Sequence, residues 1–509
     1  MAVPTTTDPE WIARMFDWLG SEPADDCLDD LALLHKHLSS LATPTVTLEQ
    51  LHRCADPVAL RVLDISDRFK PHLLNATLPL PRQIHSASVD LIHTLLTVSG
   101  FFLRVMKARA ASVSGTALER HPEYAARGLR LIGEAYLLAC MGGTETPGEL
   151  WYAAHALFGV ACSDVRGTVA EPEEALPEAA LQYKRMLAVA ALQPESLTGR
   201  ELVWIHDYLE VASGAVELSR QPLQPESAVF WLDPDHEGAP VALIRRVPPV
   251  SDCLLFYRAV NLSRRVAEQI DWLERRIADA EVVGLERDGE LLEPDASGLP
   301  VGLTPLEALS LLRRMHERWS TPPSREHPRR RQLYTVQVCQ GLRAIWRLHR
   351  TGKAPDAVSE WMVYNESPGG YAIISVSGVE GVLSAGMALA LRRDARSPWS
   401  ICIVRWIRSD HPDEVELGLQ VIAESCIAIS IAFRGGELRS TSPALILPPV
   451  SPMRRNPAIL AAAGTYNSRR FVLVREGAPL YVAQGRVLSL DMQTANVELF
   501  QYEIDPYPI

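Results

Sequence analysis

The most constraining feature of this sequence is a change in the spacing of its apolar residues at Pro322–Pro323. Before this point, apolar residues such as Leu129, Ile132 and Tyr136 recur every three or four positions, which is the spacing of an amphipathic helix. After it, apolar and polar residues alternate, as in Tyr334–Val338, which is the period of a half-buried strand. Since one segment cannot satisfy both periods, we predict a helical region followed by β structure.

Residues 1–320 are predicted to form a mostly α-helical region. Proline and glycine residues divide it into segments of helix-pair length, which favours an α-bundle or an irregular α-solenoid. Residues 228–245 interrupt the helical pattern, because the apolar runs Val229–Leu232 and Val241–Ile244 flank a loop that contains Pro234 and Gly238. This arrangement predicts a β-hairpin within the helical region.

The rest of the chain is predicted to contain two β units. Residues 321–440 form the first, which includes the strongly β-branched run Ile401–Trp406. Residues 441–509 form a second, small β unit of short strands with turns at Gly464 and Gly477, and a second barrel is one interpretation of it. The predicted fold class is therefore multidomain α+β, with an N-terminal helical region and antiparallel β units after it.

Composition limits the possible partners. The chain has 509 residues and a net charge of −12, which argues against coating nucleic acid or an acidic membrane through bulk electrostatics. Its eight cysteines include no C-x-x-C pair, which favours a reducing cytoplasm over a disulfide scaffold or a zinc module. The apolar run Leu91–Leu103 is shorter than the roughly 20 residues that span a bilayer. We therefore expect a cytoplasmic protein with no membrane span and no nucleic-acid partner.

The common catalytic and cofactor-binding motifs do not occur in the sequence. His206 and Asp207 could form half of an acid/base pair, but a polar stretch on an amphipathic helix explains them more simply. The acidic cluster Glu171–Glu178 is interrupted by prolines and lacks the spacing of a cation site, which favours a solvated loop. We expect no catalytic residues, no metal and no cofactor.

A short basic segment stands out in this acidic chain. Arg325–Arg331 contains four arginines directly after the proline pair and before the first predicted strand of the β domain. Guanidinium groups bind phosphate oxygens in a bidentate manner and stack on aromatic planes, so two arginines four residues apart can hold a phosphorylated ligand. The alternative is a charged linker that pairs with the acidic segment Glu281–Asp295.

A second candidate element is Asn365–Gly370, which follows the strand-like run Trp361–Tyr364. Short polar side chains at Asn365 and Ser367, followed by glycines, form a turn that a ligand can approach closely. The alternative is a hairpin turn whose side chains cap its own backbone.

In this order, with strands after each, the two elements resemble the PilZ family, whose small β-barrels bind the bacterial second messenger cyclic di-GMP. The family's R-x-x-x-R matches Arg325 and Arg329, and its [DN]-x-S-x-x-G matches Asn365, Ser367 and Gly370. The resemblance extends from residue 324 to about residue 436. It implies a PilZ-like antiparallel β-barrel.

The resemblance also implies roles for these residues. Arg325 and Arg329 would hold the phosphates and guanine faces of cyclic di-GMP. Asn365, Ser367 and Gly370 would receive a guanine edge at the barrel surface. Arg330 would add a contact.

One departure from the family is a longer connection, Gly341–Arg350, between the first two strands. It predicts an amphipathic helix with Arg343, Arg347 and Arg350 on its exposed side, which either docks on the neighbouring domain or lines the nucleotide pocket.

We therefore expect a non-enzymatic cyclic di-GMP effector that couples nucleotide binding to a domain rearrangement or to a partner interaction. Its helical region would be the module that binds a protein partner. Two alternatives stay open: an enzyme whose helical domain is regulated by the barrel, and a structural scaffold with a non-binding barrel.

Overall fold

The structure is a computed structural model that describes residues 10–41, 46–111, 122–162, 177–223, 228–283, 298–322, 328–352, 358–376, 381–433, 441–452, 454–466, 470–477 and 479–505. In these residues the chain forms a helical region, a four-stranded sheet and two closed six-stranded antiparallel barrels. The predicted multidomain α+β class is confirmed. Arg325 and three members of the acidic cluster, Glu171, Glu173 and Glu174, lie outside the described residues.

The helical region begins with α1 (Glu10–Leu19), α2 (Cys27–Leu41), α3 (Leu48–Phe69), α4 (Pro71–Leu74), α5 (Arg82–Ala111), α6 (Pro122–Gly142), α7 (Gly148–Cys162), α8 (Pro177–Ala191) and α9 (Gly199–Ala212). Local sequence fixes several starts. Thr47 and Thr198 each accept a hydrogen bond from the backbone three residues on, and Gln50 and Glu201 reciprocate, so α3 and α9 begin with capping boxes.

Helix α5 is the one helix in the described ranges that is long and apolar enough to cross a membrane, over Arg82–Ala108. It packs against α3, α6 and α7, and 56% of its most apolar window is buried inside the protein. Its apolar residues, such as Leu91, Leu95 and Phe102, therefore belong to the core of the helical region.

A small sheet follows α9. Its strands are β1 (Glu217–Ser219), β2 (Val229–Leu232), β3 (Val241–Ala242) and β4 (Leu255–Arg258), in the order β1-β4-β2-β3. The hairpin predicted at 228–245 is present as the β2–β3 pair, and β4 and β1 extend it to four strands. Two helices, α10 (Val260–Val283) and α11 (Pro305–Ser320), pack on each other and lead to the first barrel.

The first barrel contains β5 (Arg330–Gln340), β6 (Val358–Ser367), β7 (Gly370–Ser375), β8 (Ala388–Arg392), β9 (Ser400–His411) and β10 (Glu414–Ala423). It closes in the order β10-β7-β6-β5-β8-β9. The alternating apolar residues fill its interior, where Val338, Trp361, Ile373, Val404 and Leu417 are buried. Buried residues of this barrel and of the helical region share one apolar core.

The second barrel contains β11 (Ile427–Phe433), β12 (Ser442–Leu447), β13 (Ala458–Ala462), β14 (Arg470–Arg475), β15 (Tyr481–Gln493) and β16 (Val497–Ile504). It closes in the order β11-β12-β13-β16-β15-β14. The predicted boundary at residues 440 and 441 differs from the structure, because β11 pairs with β12 and β14. The first barrel is already closed by β10 and has no free edge for β11, so the boundary lies between Ala423 and Ile427.

The connection between β5 and β6 forms helix α12 (Leu342–Thr351), as predicted. Ile345 and Leu348 are buried in an apolar cluster that residues of both barrels share, whereas Arg343 and Arg347 are exposed. Arg350 pairs with Glu476 of the second barrel. Of the two predicted roles, α12 therefore takes the first, because it docks on the neighbouring domain.

Candidate ligand-binding surface of the first barrel

The basic segment ends beside the strand that carries the second motif. Arg329 and Arg330 are exposed at the start of β5. In the β5–β6 ladder Arg330 is opposite Glu366, and Arg331 is opposite Asn365. The fold therefore brings the end of the arginine segment next to Asn365, although Asn365 follows Arg331 by 34 positions in the sequence.

Residues Ser367–Gly370 form the tight connection between β6 and β7. The Ser367 hydroxyl donates a hydrogen bond of 3.3 Å to the Gly370 carbonyl, and Pro368 and Gly369 are exposed at the tip. The segment therefore has the geometry of a hairpin turn whose side chain bonds to its own backbone, as the alternative interpretation predicted. The same turn presents an accessible backbone at the barrel surface, so it does not exclude ligand binding.

Gly370 is required by the backbone itself. A Cβ atom at this position would lie 2.1 Å from the carbonyl oxygen of Leu419 on β10. The adjacent Gly369 carbonyl accepts a hydrogen bond of 3.0 Å from the Val421 amide. The third residue of the motif therefore allows β7 to approach β10 and close the barrel, whatever it contributes to a ligand.

Asn365 carries an unsatisfied polar atom. Its side chain is half-buried, and its Oδ1 is buried without a hydrogen-bond partner among the described residues. Leaving such an acceptor unsatisfied costs about 1–3 kcal/mol. An N–H donor on a ligand would remove this penalty, and the N2 amino group of guanine is such a donor.

An aromatic residue lies in the same cross-strand row as Asn365. Paired positions run from Asn365 through Ala372 and Gly418 to Trp406. Directly paired residues project to the same face of a sheet. Trp406 lies over Gly418, since a Cβ on Gly418 would be 1.9 Å from the indole Nε1. The sequence alone did not predict this row. It shows a tryptophan in β9 and a glycine in β10, but only the strand register shows that the two are paired.

Charged and aromatic side chains surround this surface. Burial and the charge of Glu416 raise the pKa of Tyr364 to about 12, and the positive charge of Arg329 opposes this shift. The electrostatic field of Arg329 therefore reaches Tyr364 on β6. The Tyr334 hydroxyl donates a hydrogen bond of 2.6 Å to Glu366, and the Arg393 guanidinium lies 4.6 Å from the Tyr334 ring centroid. Arginines and aromatic rings are the groups that bind phosphates and purine planes.

His206 and Asp207 do not form an acid/base pair in the structure. Nη2 of Arg185 lies 2.9 Å from His206 Nδ1, and Nε of Arg185 donates a hydrogen bond of 2.9 Å to the His206 carbonyl. Burial lowers the pKa of His206 well below its ordinary value, with Arg185 adding to the shift. This arrangement fits a structural contact between α8 and α9. In the described ranges no group of three or more histidines, cysteines or acids could hold a metal ion.

Comparison with protein-family models gives two matches. Residues 13–224 match the N-terminal domain of the cyclic-di-GMP receptor FimW, and residues 347–427 match the middle PilZ domain of the same receptor. Together the matches cover more than half of the chain. No curated protein and no solved structure matches it.

The first barrel is thus a PilZ domain, which confirms the resemblance that its motifs indicated. The chain belongs to the FimW family of cyclic-di-GMP receptors. The PilZ match contains Asn365, Ser367 and Gly370, whereas the arginine segment precedes it.

Proposed function

We propose that cyclic di-GMP binds on the outer surface of the first barrel, along β6, β7 and β10. Arg325 and Arg329 hold its phosphates and guanine faces, Asn365, Ser367 and Gly370 receive a guanine edge, and Arg330 adds a contact. The observation that supports this proposal is the β5–β6 register, which sets Arg331, two residues after Arg329, opposite Asn365.

We further propose that binding couples to the arrangement of the domains. Arg325 and Arg329 lie in the connection between α11, which ends at Ser320, and β5, which starts at Arg330. A ligand that holds these arginines against β6 fixes the path of this connection. A micromolar ligand supplies about 8 kcal/mol of binding free energy, of which only the part that differs between two arrangements shifts their populations.

In this proposal the protein is a cytoplasmic effector without catalytic activity, and its helical region binds a protein partner. Nucleotide occupancy changes the surface that the helical region and the barrel present together. The support for this is the common core, in which Leu91 of α5 and Val404 of β9 belong to one apolar cluster. Thr77 also donates a hydrogen bond to the Gly381 carbonyl across this boundary.

The site assignment is tested by titrating the double variant R325A/R329A with cyclic di-GMP. A matched control is R343A/R347A, which removes two exposed arginines with the same spacing from α12. Charge-assisted hydrogen bonds contribute about 1.5–3 kcal/mol each, so the site variant should bind about 100-fold more weakly and the control should bind normally. Undiminished affinity in R325A/R329A would refute this site assignment.

The coupling is tested by small-angle X-ray scattering of the full chain with and without saturating cyclic di-GMP. We expect a changed scattering curve for the wild type and no change for R325A/R329A. Identical curves at full occupancy, with occupancy established by calorimetry, would reject domain rearrangement while leaving the binding site intact.

A further inference from the structure

A cleft lies where the helical region and the two barrels meet. It has a volume of about 380 Å³, within the range of small-molecule sites. Helix α11 contributes Arg314 and Arg318, the first barrel contributes Arg405 and Gln420, and the second barrel contributes Gln493 among other residues. A ligand in this cleft would contact all three parts of the chain.

Four arginines line the cleft together with two acids, Glu317 and Asp491. Arg313 pairs with Glu274, and Arg314 pairs with Glu201. Arg318, in contrast, donates hydrogen bonds from Nη1 to two neutral acceptors, the Leu192 carbonyl at 2.8 Å and Gln193 Oε1 at 2.7 Å.

Arg405 has no hydrogen bond or ion pair to any described residue, and a β-bulge directs it into the cleft. In the β9–β10 ladder Gly418 pairs with Trp406 and Leu419 pairs with Val404, so Arg405 is the extra residue. A bulge of this kind re-aims a side chain. Arg405 lines the cleft and is exposed to solvent there, so a ligand can reach its guanidinium donors.

The positive charges of neighbouring arginines in the cleft repel one another, which makes the protonated form of each less favourable. Burial, together with the charges of Arg405 and Arg314, lowers the pKa of Arg318 to about 10. Glu317, which also lines the cleft, opposes this shift. Asp491, another acid that lines the cleft, accepts hydrogen bonds from Gln501. A bound anion would relieve this repulsion.

A separate observation also indicates a ligand. Ser310 of α11 lines the cleft and is 5% exposed, and its Oγ has no hydrogen-bond partner in the part of the chain that the structure describes. A buried hydroxyl without a partner is costly, and it can donate to an anionic oxygen.

We propose that this cleft binds a phosphate group, held by the guanidinium groups of Arg318 and Arg405 with Ser310 as an additional donor. Arginine forks match the geometry of phosphate oxygens, and the site has two such forks. The phosphate has two chemical sources. Gln420 lines the cleft and is the register partner of Gly370, so a phosphate of cyclic di-GMP on the barrel surface is one source, and a separate phosphate-bearing small molecule is the other. Only the first source rests on the proposed function.

The test compares wild-type full-length protein with R405Q, which removes a charge that holds no other described residue in place. R343Q on α12 is the matched control. The probes are inorganic phosphate, GMP and cyclic di-GMP, titrated by calorimetry at constant ionic strength. We expect R405Q to weaken at least one of them by about tenfold or more and R343Q to weaken none.

The pattern of loss identifies the source. If R405Q binds phosphate or GMP more weakly than the wild type but binds cyclic di-GMP equally well, the result supports a separate ligand. Binding of phosphate or GMP should then persist in R325A/R329A. Loss confined to cyclic di-GMP supports an extended nucleotide site. If the wild type and R405Q respond identically to every probe, or if the wild type binds none, the proposal is wrong. S310A, which removes a single oxygen, repeats the comparison should R405Q fold poorly.

Discussion

The indole Nε1 of Trp346 donates a hydrogen bond of 2.6 Å to the backbone carbonyl of Ile429. Trp346 belongs to α12, which departs from the first barrel, and Ile429 belongs to β11 of the second barrel. The Arg350 guanidinium lies 4.8 Å from the Trp346 ring centroid and pairs with Glu476. The longer connection between β5 and β6 thus joins the two barrels.

Replacing Ile345 with alanine should destabilise this junction. Ile345 is fully buried in the cluster that both barrels share, and such truncations typically cost about 2–5 kcal/mol. The free energy of unfolding, measured by chemical denaturation, checks this value. Arg347→Ala on the exposed face of α12 should change it by no more than about 0.5 kcal/mol. Equal effects of the two substitutions would contradict the described docking of α12.

Gly370→Ala and Ser367→Ala should separate two roles within one motif. The added methyl group at Gly370 would meet the Leu419 carbonyl, so this variant should lose about 1–3 kcal/mol of stability. Ser367→Ala removes one long hydrogen bond and should leave the fold intact while it weakens cyclic di-GMP binding. Thermal unfolding checks the first expectation and calorimetry the second. A G370A protein as stable as the wild type would show that the close approach of β7 to β10 is incorrect.

Trp406→Ala should weaken cyclic di-GMP binding. Stacking of a base on an aromatic ring contributes about 1–3 kcal/mol, and Trp406 shares a cross-strand row with Asn365. The dissociation constant should rise accordingly in a calorimetric titration. Trp272→Ala, at a half-buried tryptophan of α10 outside this row, is the comparison, and its affinity should match that of the wild type. An unchanged affinity in W406A would remove Trp406 from the site.

Stability should fall as the pH drops because of His155. Burial lowers its pKa to about 4, and its Nδ1 lies 2.7 Å from the Tyr183 hydroxyl. The unfolded chain takes up a proton at this histidine near its ordinary pKa of about 6.5, whereas the folded protein does so only near pH 4. The free energy of unfolding should therefore decrease by about 2 kcal/mol between roughly pH 7 and pH 5 from this group.

Denaturant titrations of the wild type and His155→Gln at both pH values check this expectation. Since glutamine does not titrate, the variant should lack that part of the decrease. Parallel pH dependence in the two proteins would show that His155 is accessible to protons in the folded state.

Hydrophobic periodicity predicted the helical region, the hairpin at 228–245 and the β structure of residues 321–440, because these features depend on local spacing, whereas the barrel was implied by the resemblance to the PilZ family. The boundary at Ala423–Ile427 could not be predicted in this way, because it depends on which strand edges are free once β10 has closed the first barrel. The prediction of the small sheet was incomplete for a similar reason, since β1 and β4 are short and pair over a distance in the chain.

The candidate site was likewise predicted only in part from the sequence. A motif with fixed spacing predicted Asn365, Ser367 and Gly370, and the structure places Arg330 opposite Glu366, the residue after Asn365. The sequence did not point to Trp406 and Arg405 as candidates, because only strand register and a bulge determine their positions. The cleft at the junction of three domains has no local sequence pattern at all.

The decisive experiment is isothermal titration calorimetry of the full-length protein with cyclic di-GMP, with GTP, GMP and cyclic di-AMP as controls. We expect selective binding of cyclic di-GMP at low-micromolar or tighter affinity, and a loss of most of that affinity in R325A/R329A. Absence of binding would refute the proposed function and would favour a barrel that serves only as a scaffold, and equal binding of the control nucleotides would refute a receptor selective for cyclic di-GMP.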